Sequence, residues 1–166
     1  MIDISQLSKP LRVEQIEFRV GHSDKLRENN FLLAYKDARA DMDRLDEVCG
    51  HLNWQRRHEL IDGQLFCHVG ILNETTGEWV WKSDVGVESK TEAEKGRSSD
   101  SFKRACFNWG IGRELYDMPL LIVKGQNPKP QYWTWEARYD KETDRICALK
   151  ASQNGVEKFK KDWRKK

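Results

Sequence analysis

Two turn signals followed by a helix start constrain the fold of residues 54–109 more than any other feature of this sequence. Apolar and polar residues alternate in segments that are interrupted at Asp62-Gly63 and again at residues 75–77. Both interruptions are typical of hairpin turns between antiparallel strands. We therefore expect a three-stranded antiparallel meander over residues 54–86.

A long helix is predicted directly after the meander. Thr91-Glu92-Ala93-Glu94 has the T-x-x-E form of a capping box, in which two side chains bond to backbone amides that lack partners in the first turn. The helix can run to Trp109, where Gly110-Ile111-Gly112 ends it, and one apolar face can lie across the meander. This face consists of Phe102, Ala105, Cys106 and Trp109. The predicted fold class is therefore α+β, an antiparallel three-stranded meander packed against a long helix.

The segments outside this core give weaker signals. Residues 8–20 carry spaced apolar residues among charges, with Pro10 in the first turn, which favours a short helix. Residues 31–35 are apolar almost throughout and predict a short buried strand. The other predicted elements are a helix over residues 38–48, extended segments over 120–123 and 132–139, a return strand over 145–149, and a short helix or disordered tail from residue 156.

Charge is distributed unevenly along the chain. The length of 166 residues fits one domain with its own core, and the net charge of +2 does not by itself indicate a nucleic-acid binder. Residues 157–166 carry a net charge of +4, which leaves −2 for the rest. We predict a single domain over residues 1–156 and a basic tail over 157–166. A polyanion would have to bind local clusters of positive charge or this tail.

The cysteines and the hydropathy indicate a reducing compartment. The four cysteines are widely spaced, and the chain has no apolar signal segment and no apolar run long enough to span a bilayer, so we expect a cytoplasmic protein without membrane contact. Cys49, His51, His58, Cys67 and His68 could in principle ligate zinc, but no paired C-x-x-C motif is present. We therefore expect no metal and no other cofactor.

Two sets of side chains are candidates for nucleic-acid contacts. Lys95, Ser99 and Lys103 share one stripe of the predicted helix, where a small residue lets a phosphate backbone approach two ammonium groups. They could equally be solvated lysines beside the core. The alternating tryptophans fit either sheet packing or a surface on which bases stack. These are Trp79, Trp81, Trp133 and Trp135.

Short motifs follow one another in a fixed order between about residues 11 and 119. They are Ile16-Glu17-Phe18-Arg19, Tyr35, Cys49-Gly50, Trp54, Asp84-Val85-Gly86-Val87-Glu88-Ser89, Glu94-Lys95, Asp100-Ser101-Phe102-Lys103-Arg104-Ala105 and Trp109-Gly110-Ile111-Gly112. In this order and spacing they resemble the Rad52/22 family of double-strand-break repair proteins, particularly its short phage-type single-strand annealing members. The resemblance implies a homo-oligomeric ring with single-stranded DNA in a groove around its outside.

The resemblance also implies the residues that contact DNA. Arg19 and Tyr35 match groove-lining positions, Lys103 and Arg104 match a basic pair on the long helix, and Lys95 matches another basic position there. Lys90 matches a basic loop of a second, outer DNA path. The implied function is ATP-independent strand annealing in recombination and repair, without enzymatic activity. A single-strand-binding protein or a recombinase is a possible further partner.

Two other functions are compatible with parts of the sequence. Glu88-Ser89-Lys90 has an E-x-K form, and Asp62 or Asp84 could complete a carboxylate cluster for the divalent ion of a nuclease. The tryptophans and the basic tail could instead bind a partner protein. The chain lacks the G-x-x-x-x-G-K-[ST] loop that would hold a nucleoside triphosphate, which favours annealing without hydrolysis.

Overall fold

A computed structural model describes residues 1–87 and 93–164, with side chains in the second range from residue 96 onward. The described residues form two α-helices and three antiparallel sheets. The predicted α+β class is confirmed. The elements are β1 (Ile16–Ser23), β2 (Asn29–Lys36), α1 (Ala38–Cys49), β3 (Trp54–Ile61), β4 (Gln64–Asn73), β5 (Glu78–Val85), α2 (Ala93–Asn108), β6 (Leu121–Lys124), β7 (Thr134–Tyr139), β8 (Ile146–Gln153) and β9 (Val156–Asp162).

The first of two compact units comprises Met1–Lys9 and Asp37–Arg113. Its sheet has the order β3-β4-β5, with strands where the alternating pattern places them. The first turn contains Asp62 and Gly63, both with positive φ (49° and 76°), which is the conformation that an Asp-Gly hairpin turn requires. The second turn places Gly77 at φ 72°. Glycine adopts this left-handed conformation without the steric cost that a Cβ atom would add.

Helix α2 packs on one face of this sheet through the predicted apolar stripe. All four of its apolar residues are buried, and the Phe102 ring lies 6.3 Å from that of Trp54, centroid to centroid. The indole Nε1 of Trp109 donates a hydrogen bond to the carbonyl oxygen of Val69 at 3.0 Å. Lys82 donates from Nζ to the carbonyl oxygen of Asn108, at the end of the helix. These contacts fix the helix on the strands and therefore fix the direction of its basic side chains.

The second unit comprises Pro10–Lys36 and Glu114–Lys166. It contains two sheets, with strand orders β1-β2-β6 and β7-β8-β9. Its core includes an aromatic stack in which Phe18 lies on Trp135 with ring centroids 4.0 Å apart, and Phe159 packs against the same indole at 5.8 Å. Burial of these large rings stabilises the unit because each removes a large apolar area from water.

Two predicted elements are wrong. The helix expected over residues 8–20 is replaced by a short 3-10 turn at Val13–Gln15 followed by β1. Ile16 and Phe18 alternate with exposed neighbours along β1, so the period there is two. The tail expected as a helix or disordered segment forms β9, which pairs with β8 from Val156 to Asp162.

None of the helices in the described ranges is long and apolar enough to cross a membrane.

Candidate nucleic-acid interface

Arg104, on α2, contacts an acidic residue of the sheet beneath it. Its Nε donates a hydrogen bond to Oδ1 of Asp84 on β5 at 3.2 Å, while its side chain remains 42% exposed. Asp84 also accepts from Asn108 at 3.4 Å and from the backbone N–H of Val85 at 2.8 Å. The Nε hydrogen bond is the one that the Arg104 side chain donates within the described residues. Its terminal guanidinium nitrogens can still reach an incoming phosphate.

The strand β5 approaches α2 closely just beyond Asp84. A Cβ atom built on Gly86 would lie 2.1 Å from the carbonyl oxygen of Arg97, so only glycine fits at this distance. One residue later, the backbone N–H of Val87 donates to Oδ2 of Asp100 at 3.0 Å. The motif around Gly86 therefore joins sheet and helix.

Lys103 lies on α2 next to Arg104 and is partly exposed. Hydrogen bonds from the side chain and backbone of Arg39 lower the pKa of Asp37, and the ammonium group of Lys103 adds a smaller contribution in the same direction. Asp37 caps α1 by accepting from the backbone N–H of Arg39 at 2.8 Å. No ion pair within 4.0 Å ties Lys103 to a carboxylate in the described part of the chain, so its charge can act on a phosphate.

In the second unit, Arg19 on β1 and Tyr35 on β2 lie together. The guanidinium carbon of Arg19 is 5.6 Å from the centre of the Tyr35 ring. In the register of these strands Tyr35 is opposite Glu17 and Arg19 is opposite Leu33, so the pair is a diagonal one on a single face. A cation above an aromatic ring is a weak attraction that keeps the guanidinium over the sheet.

The same face carries further aromatic residues that the sequence reasoning missed. The rings of His22 and Phe31 stack with centroids 4.2 Å apart, and Leu33 is 50% exposed beside them. Residues 31–35 therefore form a strand, as predicted, but only one of its faces is buried. The spacing of Phe31, Leu33 and Tyr35 at every second position is the signal that could have found this face.

Some of the predicted residues lie outside the part of the chain that the structure describes, and the others are divided between the two compact units. Lys90 lies outside the described residues, as do Glu88 and the predicted capping residue Thr91. Lys95 belongs to α2, but its side chain is outside the description. Arg19 and Tyr35 belong to one compact unit and Lys103 and Arg104 to the other.

The tryptophans of β5 lie on the face of the sheet opposite α2. Trp79 and Trp81 have ring centroids 6.3 Å apart, and Arg57 of β3 lies 5.0 Å from the centre of the Trp81 ring. Trp81 covers Gly70 on the neighbouring strand, where a Cβ atom would lie 2.9 Å from the indole. This face combines a cation with exposed aromatic surface, since Trp81 is 37% exposed.

The candidate nuclease and zinc residues that the structure describes are not grouped as a metal site. Asp84 is held by Arg104 and Asn108, and Asp62 lies in the exposed first turn of the meander. Within residues 1–87 and 96–164, no cluster of three or more histidine, cysteine or acidic side chains is arranged to hold a metal ion. Burial raises the pKa of Cys49 and of Cys67 to about 11, so both thiols are protonated at neutral pH.

One known family matches the segment that contains β4, β5, α2 and the basic side chains along that helix. Residues 59–134 match the Rad52/22 family double-strand break repair proteins. This stretch contains the last three residues of β3, all of β4, β5 and α2, and the Asp84–Val87 segment that contacts the helix. The family resemblance that the sequence motifs predicted is therefore confirmed over residues 59–134.

Two relatives from the genus Deinococcus match a larger share of the chain than the family does. The chain is 34% identical over 116 residues to the single-stranded DNA-binding protein DdrA of Deinococcus radiodurans, covering 69% of this chain and 54% of the relative. It is 33% identical over 131 residues to the protein of the same name from Deinococcus deserti, covering 75% of this chain and 61% of the relative. The chain thus spans a little over half the length of these relatives.

Proposed function

We propose that this protein binds single-stranded DNA through its sugar-phosphate backbone and anneals complementary strands during double-strand break repair, without enzymatic activity. The observation that carries the proposal is the position of Lys103 and Arg104 on α2, in the segment that matches the repair family. Both side chains are partly exposed. The name of the two Deinococcus relatives, single-stranded DNA-binding protein, supports the same ligand.

The chemistry of these residues favours backbone contacts over base reading. Lysine and arginine bind phosphate oxygens that are the same at every nucleotide, so they hold a strand without selecting its sequence. Arg19 and Tyr35 offer a second contact of the same type, in which Phe31 and His22 extend the aromatic surface. Exposed rings of this kind stack with unpaired bases, which duplex DNA does not present. The protein therefore prefers single strands.

Annealing by such a surface needs no nucleotide hydrolysis. A strand held by its phosphates can present its bases to a complementary strand, and stacking in the new duplex supplies about 1.4 kcal/mol per base-pair step. The protein contributes by neutralising the phosphate repulsion between the two strands.

Assembly into a homo-oligomer, of which a ring is the expected form, belongs to the same proposal. Strand β3 is the edge of its sheet, and its described side chains are exposed from Gln55 to Ile61. Leu60 is 66% exposed on this edge. The outer edge of such a strand, together with its exposed apolar side chains, is a surface that a second copy of the chain can cover.

The test is annealing of fluorescently labelled complementary oligonucleotides with and without ATP. We expect the protein to accelerate pairing equally in both conditions, and we expect Lys103→Glu to abolish the acceleration because it replaces an attraction to phosphate with a repulsion. Lys141→Glu, an exposed lysine in the turn after β7, is the charge-matched control and should anneal normally. Acceleration that requires ATP, or equal activity of Lys103→Glu and wild type, would contradict the proposal.

A further inference from the structure

A basic cleft with a tryptophan in its wall lies in the second unit. It has a volume of about 340 Å³ and is lined by the segment that follows β6, by Trp133 and by the β8–β9 hairpin. Three lysines line it, Lys124, Lys129 and Lys158, and all three are exposed. Among the described residues that form its wall none is acidic. The cleft thus brings three positive charges together without an acidic side chain among its described lining residues.

The loop on one side of the cleft is held in place by a buried amide. Asn30 is 2% exposed, and its Nδ2 donates to the carbonyl oxygens of Gly125 at 2.7 Å and of Val123 at 3.3 Å. Its Oδ1 accepts from the hydroxyl of Ser23 at 2.7 Å. The backbone N–H of Gly125 donates in turn to the carbonyl oxygen of Glu28. The start of the loop therefore has a fixed geometry, which keeps Lys124 at the rim of the cleft.

A β-bulge directs the third lysine. In the β8–β9 ladder Ala151 pairs with Phe159 while the next residue, Ser152, pairs with Glu157. Lys158 is the extra residue that this shift leaves without a partner on β8. A bulge of this kind re-aims the side chain that it carries, so Lys158 lines the cleft while Phe159 packs on Trp135.

Trp133 supplies the wall of the cleft with a flat, partly exposed ring. It precedes β7 directly and lies 5.9 Å from Trp135, centroid to centroid. Trp135 is in turn stacked on Phe18 in the core of the unit. Trp135 thus packs behind Trp133 and restrains it. The indole of Trp133 therefore loses little conformational freedom when a ligand stacks on it.

We propose that this cleft is a second contact for single-stranded nucleic acid, in which one base stacks on Trp133 and the lysines neutralise the phosphates on either side. Fixed ammonium groups around an accessible indole match a nucleotide of a single strand, because its base is unpaired and its phosphates are adjacent. Duplex DNA hides its base faces, and a free phosphate would leave the indole unused. The inference rests on the proposed function and extends it to residues outside α2 and the Arg19 face.

The experiment uses the whole chain and a deoxythymidine oligonucleotide that carries a photoreactive 5-iodouracil base. After irradiation, mass spectrometry of the digested adduct identifies the residue attached to the base. Binding is measured in parallel by fluorescence anisotropy across a range of salt concentrations. The variants are Trp133→Ala and the triple variant Lys124→Gln, Lys129→Gln, Lys158→Gln. Their controls are Tyr132→Ala, an exposed aromatic residue outside the lining, and Lys141→Gln.

We expect an adduct on Trp133, a roughly tenfold weaker affinity for Trp133→Ala, and a salt slope reduced by about 2 in the triple variant. Both controls should bind like wild type. An adduct that never includes Trp133, or a Trp133→Ala variant with wild-type affinity, overturns the inference. Weakening by the triple variant alone means that the cleft binds anions only, which overturns it as well.

The two proposals fail in different ways. A wild-type protein that binds no single strand at all contradicts the proposed function and removes the basis for the cleft. If the wild type binds and anneals, Lys103→Glu loses annealing and no variant of the cleft changes binding, only the second contact is refuted. Circular dichroism of each variant establishes that it is folded before its binding is compared.

Discussion

The guanidinium of Arg104 and the carboxylate of Asp84 join α2 to β5 through one hydrogen bond of 3.2 Å between Nε and Oδ1. Helical spacing alone would also allow Arg104 to pair with Asp100, which lies four residues earlier on α2. In the structure Asp100 instead accepts from the backbone N–H of Val87. Arg104 therefore uses Nε for a structural hydrogen bond, and its two terminal nitrogens can donate hydrogen bonds to a phosphate.

This relationship predicts opposite effects for its two partners. Asp84→Asn removes a negative charge beside the proposed phosphate path and should strengthen single-strand binding at low salt. Arg104→Gln should weaken binding and lower the log-log salt slope by about 0.7, the value for one lost phosphate contact. Each change should cost at most about 1 kcal/mol of the free energy of unfolding, because the pair is partly exposed. Anisotropy titrations and urea unfolding measure both effects, and equal weakening by the two variants would contradict this assignment.

Arg19 and Tyr35 should contribute to single-strand binding without contributing to the stability of the fold. Arg19→Glu places a negative charge on the exposed face of β1 and should weaken single-strand binding at least tenfold, with a melting temperature close to that of wild type. Tyr35→Leu should weaken binding less, since it removes a stacking ring without adding repulsion. The charge control is Lys25→Glu in the adjoining turn. Binding by Arg19→Glu that equals the control would exclude this face from the DNA path.

Local patterns predicted the first unit better than the second. Turn residues and the spacing of Phe102, Ala105 and Cys106 determine the meander and α2 because these signals act between close neighbours. The core of the second unit depends on Phe18 meeting Trp135, a contact between residues far apart in sequence. No local rule reports such a contact, so the spaced apolar residues of 8–20 predict a helix where the structure has a 3-10 turn and β1.

The tail also adopts a structure that depends on its packing partners and not on its own composition. Its lysines suggest a solvated or helical segment, whereas pairing with β8 and packing of Phe159 on Trp135 produce a strand. The dipeptide Asn154-Gly155, with φ of 52° and 77°, is the hairpin signal that could have revealed it. The positions of Lys103 and Arg104 follow from the helix that carries them, so they could be predicted from the sequence. The aromatic face around Phe31 could not be predicted in this way, because it depends on how β1 and β2 pair.

Deletion of residues 157–166 should destabilise the second unit. The deletion removes all of β9 except Val156, including Phe159, so loss of binding by that variant would not isolate the effect of charge. Phe159→Ala should cost about 2 to 4 kcal/mol of the free energy of unfolding, as expected for a large ring removed from a packed site. Lys160→Gln with Lys161→Gln should leave stability unchanged and lower affinity modestly. Denaturant unfolding and anisotropy binding measure these effects, and a deletion variant as stable as wild type would contradict the role of β9.

The exposed edge of β3 should control assembly. Leu60→Lys combined with Ile61→Glu places charges on the edge and should shift the protein toward smaller species in sedimentation velocity, while its circular dichroism stays unchanged. Leu26→Lys, an exposed apolar residue in the turn after β1, is the matched control. Unchanged oligomer size in the double variant would show that the chains associate through another surface.

The buried cysteines should make stability fall at high pH. Burial raises the pKa of Cys67 to about 11, above the value of about 8.5 for a free cysteine, so the folded protein holds the thiol proton that the unfolded chain releases. Stability should therefore be complete below about pH 8.5 and decline as the pH rises toward 11. Iodoacetamide should leave Cys67 unmodified at neutral pH in the native protein and modify it in denaturant, as read by mass spectrometry. Rapid native modification would contradict the assigned burial.

The contact of Gly86 with the Arg97 carbonyl has a consequence for genetics. Gly86 carries no charge and need not touch a nucleotide, yet any side chain at this position would force α2 away from β5 and displace Arg104. A random-mutation screen for loss of repair should therefore recover substitutions at this glycine alongside those at the basic residues. Suppressors of such a mutant should map to the surface of α2 that faces the sheet, where a smaller side chain would let the helix pack against β5 again.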